Sequence, residues 1–104
     1  MASSKSYFDY IMDQLSGLDG ISARPMMGEY IIYHNGKVIG GIYDDRFLVK
    51  PTASALRMMP DAGKELPYEG AKAMLLVNDP DNRTFLEELI PAISGELPEP
   101  KKRK

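Results

Sequence analysis

The chain has 104 residues, 43% of them hydrophobic, with one histidine and no cysteine, so it fits a single self-supporting domain and excludes disulfides, thiolate zinc sites and cysteine nucleophiles. Its formal charge of -2 hides an asymmetry: 15 acidic and 9 of the 13 basic residues lie in positions 1–100, a balance of -6, while Lys101-Lys102-Arg103-Lys104 carries +4. An acidic body of this kind is unsuited to wrapping duplex DNA, which is held largely by Lys and Arg neutralising phosphates.

Met1 to Ser6 lacks the apolar run of a signal peptide, and no stretch approaches the ~18 apolar residues of a membrane span. A cytoplasmic location with no membrane partner is therefore expected. Tyr7, Phe8, Ile11, Met12, Leu15 and Leu18 recur at helical spacing, which predicts an amphipathic first helix capped by Ser4 or Ser6 and stopped by Gly17 or Gly20. Ile21 to Met27 reads as a strand in which Pro25 is tolerated at a sheet edge, with Gly28 supplying the bend that follows. Glu29–Tyr33 and Val38–Tyr43 are β-rich runs separated by His34-Asn35-Gly36-Lys37. Asn-Gly between such runs predicts a tight hairpin, because both central residues need φ > 0. Asp44-Asp45-Arg46 then returns the chain into Phe47–Lys50, and Pro51 ends that strand.

Thr52 to Met59 is free of Gly and Pro and predicts a two-turn helix before Pro60. Asp61–Gly70 is punctuated by Gly63, Pro67 and Gly70 and reads as a loop. Ala73–Val77 is a short apolar run suited to a buried strand, the fifth of the sheet. A last helix is predicted with Asp79 as its cap and Pro80 in its first turn. Its apolar face is Phe85, Leu86, Leu89, Ile90 and Ile93, and Pro91 should kink it or end it near Ile90. The whole is an α+β domain over residues 1–95: an antiparallel sheet of about five strands, a meander at its centre, with N- and C-terminal helices packed on it. Residues 96–104 read as a disordered basic tail.

The order Arg24-Pro25-Met26-Met27-Gly28, Tyr30, Tyr33, Asn35-Gly36-Lys37, Asp44-Asp45 and Leu48-Val49-Lys50, followed later by Leu66-Pro67-Tyr68-Glu69-Gly70, resembles the N-terminal domain of the TfoX/Sxy competence regulators over roughly residues 5 to 93. Met27 stands where that family usually carries an aromatic residue. Full-length regulators of the family carry a further C-terminal domain, so the resemblance is to half of a regulator. It implies a non-enzymatic bacterial module that acts through protein contacts on the transcription of DNA-uptake genes. The alternative is a small-ligand binder, or an unrecognised enzyme, using the exposed sheet face.

Little in the chain suggests catalysis. His34 falls in the predicted turn, where it is expected to be exposed and without a fixed acid partner. No serine sits in a nucleophile elbow. The pairs Asp44-Asp45, Asp79 with Asp81 and Glu87-Glu88 fit a turn, a helix cap and a solvated helix face better than a cation loop. Gly36, Gly40 and Gly41 match neither a P-loop nor a dinucleotide fingerprint, and read as a turn and a place of close backbone approach. No cofactor or metal is expected. The candidate interaction residues are Arg24, Met26, Met27, Tyr30 and Lys50, with another protein, a component or regulator of the transcription machinery, as the expected partner. The edge near Met26-Met27 is a candidate for pairing in a homodimer. Lys101, Lys102, Arg103 and Lys104 are the candidates for weak, nonspecific DNA contact. Tyr30, Tyr33 and Tyr43 are candidates for lining a groove, but alternation places Tyr30 with Ile32 on one face and Ile31 with Tyr33 on the other, so at least one set of tyrosines serves packing.

Overall fold

The structure, a computed structural model, describes residues 3–97. Helix α1 (Lys5–Gln14) starts where expected, because the Ser4 hydroxyl accepts the Tyr7 N–H at 3.2 Å. It ends sooner than Gly17: Leu15 already caps it, and Ile11 and Leu15 are its fully buried residues.

Strands β1 (Ile21–Met26), β2 (Glu29–His34) and β3 (Lys37–Ile42) form two successive hairpins. Asn35-Gly36 has φ of 53° and 82°, as the hairpin expectation requires, and Met27-Gly28 repeats the arrangement at 54° and 86°. Both turns have the handedness that matches the strands' own twist. The β2–β3 ladder slips once, since Ile32 pairs with Gly40 while Tyr33 pairs with Val38. The extra residue of this bulge, Ile39, is fully buried in the core.

At the next corner Asp44 and Asp45 also lie at positive φ. There the Glu29 carboxylate accepts the Ser3 hydroxyl at 2.6 Å, the Ser3 N–H at 3.0 Å and the Asp44 N–H at 3.1 Å. The Asp45 carboxylate accepts the Ser4 N–H at 2.8 Å. These contacts tie the start of α1 to the corner leading into β4 (Phe47–Val49).

Helix α2 (Ala53–Met58), capped by Thr52, leads to β5 (Lys64–Glu65), then β6 (Met74–Leu76) and α3 (Arg83–Glu96). The strands form one antiparallel sheet in the order β1-β2-β3-β4-β6-β5. The sheet thus has six strands, β5 being a two-residue pairing inside the stretch expected to be loop. Helix α3 departs from expectation at both ends. Its cap is Asn82, whose side chain accepts the Phe85 N–H, while Asp79 closes the turn before it. It then continues through Pro91 and Gly95 to Glu96. Burial of Leu89 and Ile90 before the proline and Ile93 after it outweighs the ~3 kcal/mol proline penalty. The Glu96 carboxylate accepts the Ser54 N–H and hydroxyl, both at 2.8 Å. These donors hold its carboxyl below the ordinary value and join the end of α3 to α2.

One apolar cluster gathers Ile11 and Leu15 of α1, Ala55 of α2, Leu86, Leu89, Ile90 and Ile93 of α3, and Ile32, Ile39, Ile42, Phe47, Val49 and Leu75 of the sheet. All three helices therefore pack on the same face. Each large side chain buried there contributes ~1.5–3 kcal/mol.

Candidate functional site

Cross-strand partners share a face, so Arg24, Ile31, Gly41, Leu48 and Leu76 form one row across β1, β2, β3, β4 and β6. This row lies on the face that the helices leave uncovered. Part of it is roofed nonetheless. Leu48 is fully buried although it lies outside the main cluster. Tyr43 folds back over Gly41, where a Cβ would stand 2.6 Å from its ring. The Tyr68 ring, on the loop between β5 and β6, follows at 6.2 Å and 57°.

Arg46 fastens that loop to the sheet. Its Nη1 donates to Glu65 Oε1 at 2.8 Å, its Nη2 to the Leu66 carbonyl at 3.1 Å, and its Nε to the Tyr43 carbonyl at 3.1 Å. A cleft of about 540 Å³ remains between loop and sheet, with Val38, Tyr43, Lys50, Thr52, Tyr68 and Lys72 among its walls. That volume falls in the range of small-molecule sites. Burial, with Tyr68 adding to it, pushes the Tyr43 phenol above its usual range. A smaller cavity of about 290 Å³ lies between the end of α2 and the start of α3. Met58 and Met59 line it while packing against the core, the gap-filling use of methionine.

The five interaction candidates do not meet on one surface. Arg24 is exposed on the open face, Lys50 lines the cleft, and Met26 is half-buried at the end of β1. Met27 stands at the tip of the first hairpin, 97% exposed and in the left-handed region. Tyr30 is a correction: it stacks on Phe8 of α1 with ring centroids 4.0 Å apart, on the helix-covered face, and so serves packing. Lys101 to Lys104 lie outside the described residues. Of the residues around the cleft, Tyr43 is a groove candidate from sequence and Tyr68 enters through the family-like step Leu66-Pro67-Tyr68-Glu69-Gly70, whereas Lys72 on the wall and Arg46, which fastens the loop, carry no sequence signal. The pair of glycines, Gly40 and Gly41, is the local signal that another group lies close to the backbone of β3.

His34 is the second correction. β2 extends to include it, and alternation from Ile32 turns it inward, leaving it 7% exposed with no hydrogen-bond partner for Nδ1 among the described residues. A buried polar atom without a partner carries a desolvation penalty of ~1–3 kcal/mol. His34→Leu is accordingly expected to leave stability unchanged or raise it by about 1 kcal/mol; a clear loss in urea melts would show that the ring makes a needed polar contact. Among the described residues, no group of three His, Cys, Asp or Glu is placed to hold a metal ion. No helix among them is long and apolar enough to cross a membrane.

Compared with known families, residues 13–84 match the TfoX N-terminal domain. That segment spans every strand and the cleft loop, and leaves out most of α1 and α3. Among curated proteins, the chain is 31% identical over 105 residues to an "Uncharacterized 12.7 kDa protein in trpE 5'region" of Spirochaeta aurantia, an alignment covering 100% of this chain and 91% of that protein. No solved structure matches the chain.

Proposed function

Because this chain belongs to the TfoX N-terminal domain family, we propose that it is a non-enzymatic regulatory module that docks on a protein of the transcription machinery, or on one of its regulators, through the tip of the β1–β2 hairpin. The observation that carries this reading is Met27, a large apolar side chain 97% exposed on a backbone at φ 54°. An L-residue held in the left-handed region costs ~1–2 kcal/mol, and glycine would relieve that strain. Methionine there neither packs nor eases the turn, while its flexible thioether suits an adaptable contact. Arg24, exposed on the adjoining edge strand, would supply the polar rim.

A photo-reactive residue at position 27, set against one at Lys64 on the opposite sheet edge, tests the reading in the native cells. The expected result is an adduct with a transcription component from position 27 alone. A doubled mass would place a second copy of the chain at the edge instead. Equal labelling from both positions would refute the hairpin tip as a docking point. Met27→Gly should melt no lower than the parent yet lose the contact.

A further inference from the structure

We propose that the cleft between the open sheet face and the β5–β6 loop is an effector site for a small organic anion with a flat ring, such as an aryl carboxylate or aryl phosphate. It lies apart from the hairpin tip and does not depend on the docking role. Three observations converge on it.

The first is charge. Among the described residues, the ionisable groups on the cleft wall other than tyrosines are Lys50 and Lys72, and no carboxylate lines it. Positions 1–100 hold 15 acidic residues against 9 basic ones, so two lysines facing one cleft stand out against the body's net charge. Neither ammonium has an ion-pair or hydrogen-bond partner among the described residues. Anchoring an anion would give both lysines charge-assisted hydrogen bonds.

The second is shape. Tyr43 and Tyr68 set two rings at 57° on the cleft wall, 6.2 Å apart between centroids. A third ring entering beside them completes the offset or edge-to-face packing that aromatic groups prefer. Val38 and Met74 supply the apolar floor, and the volume of about 540 Å³ accepts a ligand of drug-like size or smaller.

The third is construction. Two donors of Arg46, to the Glu65 carboxylate and the Leu66 carbonyl, hold the start of the loop that carries Tyr68 and Lys72, while a third fixes the guanidinium to the Tyr43 carbonyl, so part of the ordering cost is met before a ligand arrives. Gly41 lets the Tyr43 ring lie close over β3. The cleft is therefore held open by specific contacts and is more than a gap between loop and sheet.

Amide-resolved NMR titration of the full chain tests this, with phenyl phosphate, benzoate, inorganic phosphate and benzyl alcohol as probes. Saturable shifts at Lys50, Thr52, Tyr68 and Ala73 are expected with the two aryl anions at millimolar levels, the affinity that so few ligand atoms allow. The stronger of the two distinguishes phosphate from carboxylate chemistry. Inorganic phosphate lacks the ring and benzyl alcohol the charge, so both should bind at least severalfold more weakly. Lys50→Ala and Lys72→Ala should each weaken the aryl anion about tenfold. Lys50→Arg should keep it, and the unchanged dispersion of the spectra reports that each variant is folded. Shifts confined to Lys101–Lys104, equal response to benzyl alcohol, or binding unaffected by the Lys50→Ala, Lys72→Ala double variant would each overturn the proposal.

Discussion

Gly40→Ala is expected to destabilise the domain by about 3 kcal/mol or more, among the larger effects of adding one methyl group. A Cβ at Gly40 would meet the carbonyl oxygen of Leu48, with Val49 Cα at 2.8 Å and the Leu48 carbonyl carbon at 3.0 Å. These are backbone atoms of the adjacent strand and cannot rotate away, so either the β3–β4 ladder must part or the bulge at Ile39 must open. Both responses pull Ile39, Phe47 and Val49 from the core they fill. Gly95→Ala provides the control. Among the described residues beyond its own helix backbone, nothing lies within 4 Å of its added methyl, and alanine in place of a helical glycine gains up to ~1 kcal/mol. Equilibrium urea unfolding measures both, and equal midpoints for the two variants would contradict the close approach of β3 and β4. At Gly41 the added Cβ would meet the Tyr30 carbonyl oxygen and the Tyr43 ring, each at 2.6 Å. That substitution should therefore displace the tyrosine and disturb the cleft as well as the sheet.

The same glycines mark how far the sequence could be read. Their reading as a turn and a place of close backbone approach holds, because Asn-Gly at a hairpin and glycine inside a strand are local signals with local causes. The meander, the α+β class and the capping Ser4 were legible for the same reason. What escaped depends on contacts between distant segments. β5 is two residues long and is recognisable only by its pairing with β6. Pro91 reads as a helix breaker until the burial of Ile93 beyond it is known. His34 looked like a turn residue because the strand's extra residue is set by the ladder and not by any local mark. The site suffered most. Lys50 and Arg24 could be singled out as strand-end cations, but Tyr43, Tyr68 and Lys72 become neighbours only when Arg46 draws the β5–β6 loop across the open face. Tyr30 failed as a surface candidate because alternation gives a face but does not say which face the helices take.

Deleting Lys101–Lys104 is expected to abolish whatever affinity the chain has for DNA. The reason is the charge distribution: 9 basic residues against 15 acidic ones in positions 1–100, and four basic residues together at the end. The open face does carry Arg24, Lys50 and Lys72, yet a groove that tracks a phosphate backbone needs more cations than these, in a body less acidic than this one. With the tail present, four phosphate contacts give a log-log salt slope of about -3.6, hence a loss of roughly a hundredfold between about 50 and 200 mM salt and no preference among sequences. A chain ending at Pro100 should show no binding by fluorescence anisotropy even at the lower salt. If it still selected one promoter sequence over others at ~0.15 M salt, the folded domain would itself be a DNA reader. In that case the acidic-body argument would fail, and the positive groups of the open face would be the place to look for phosphate contacts. If binding is lost with the tail, any influence on transcription has to pass through a protein held at another surface, for which the exposed Met27 tip is the proposed point.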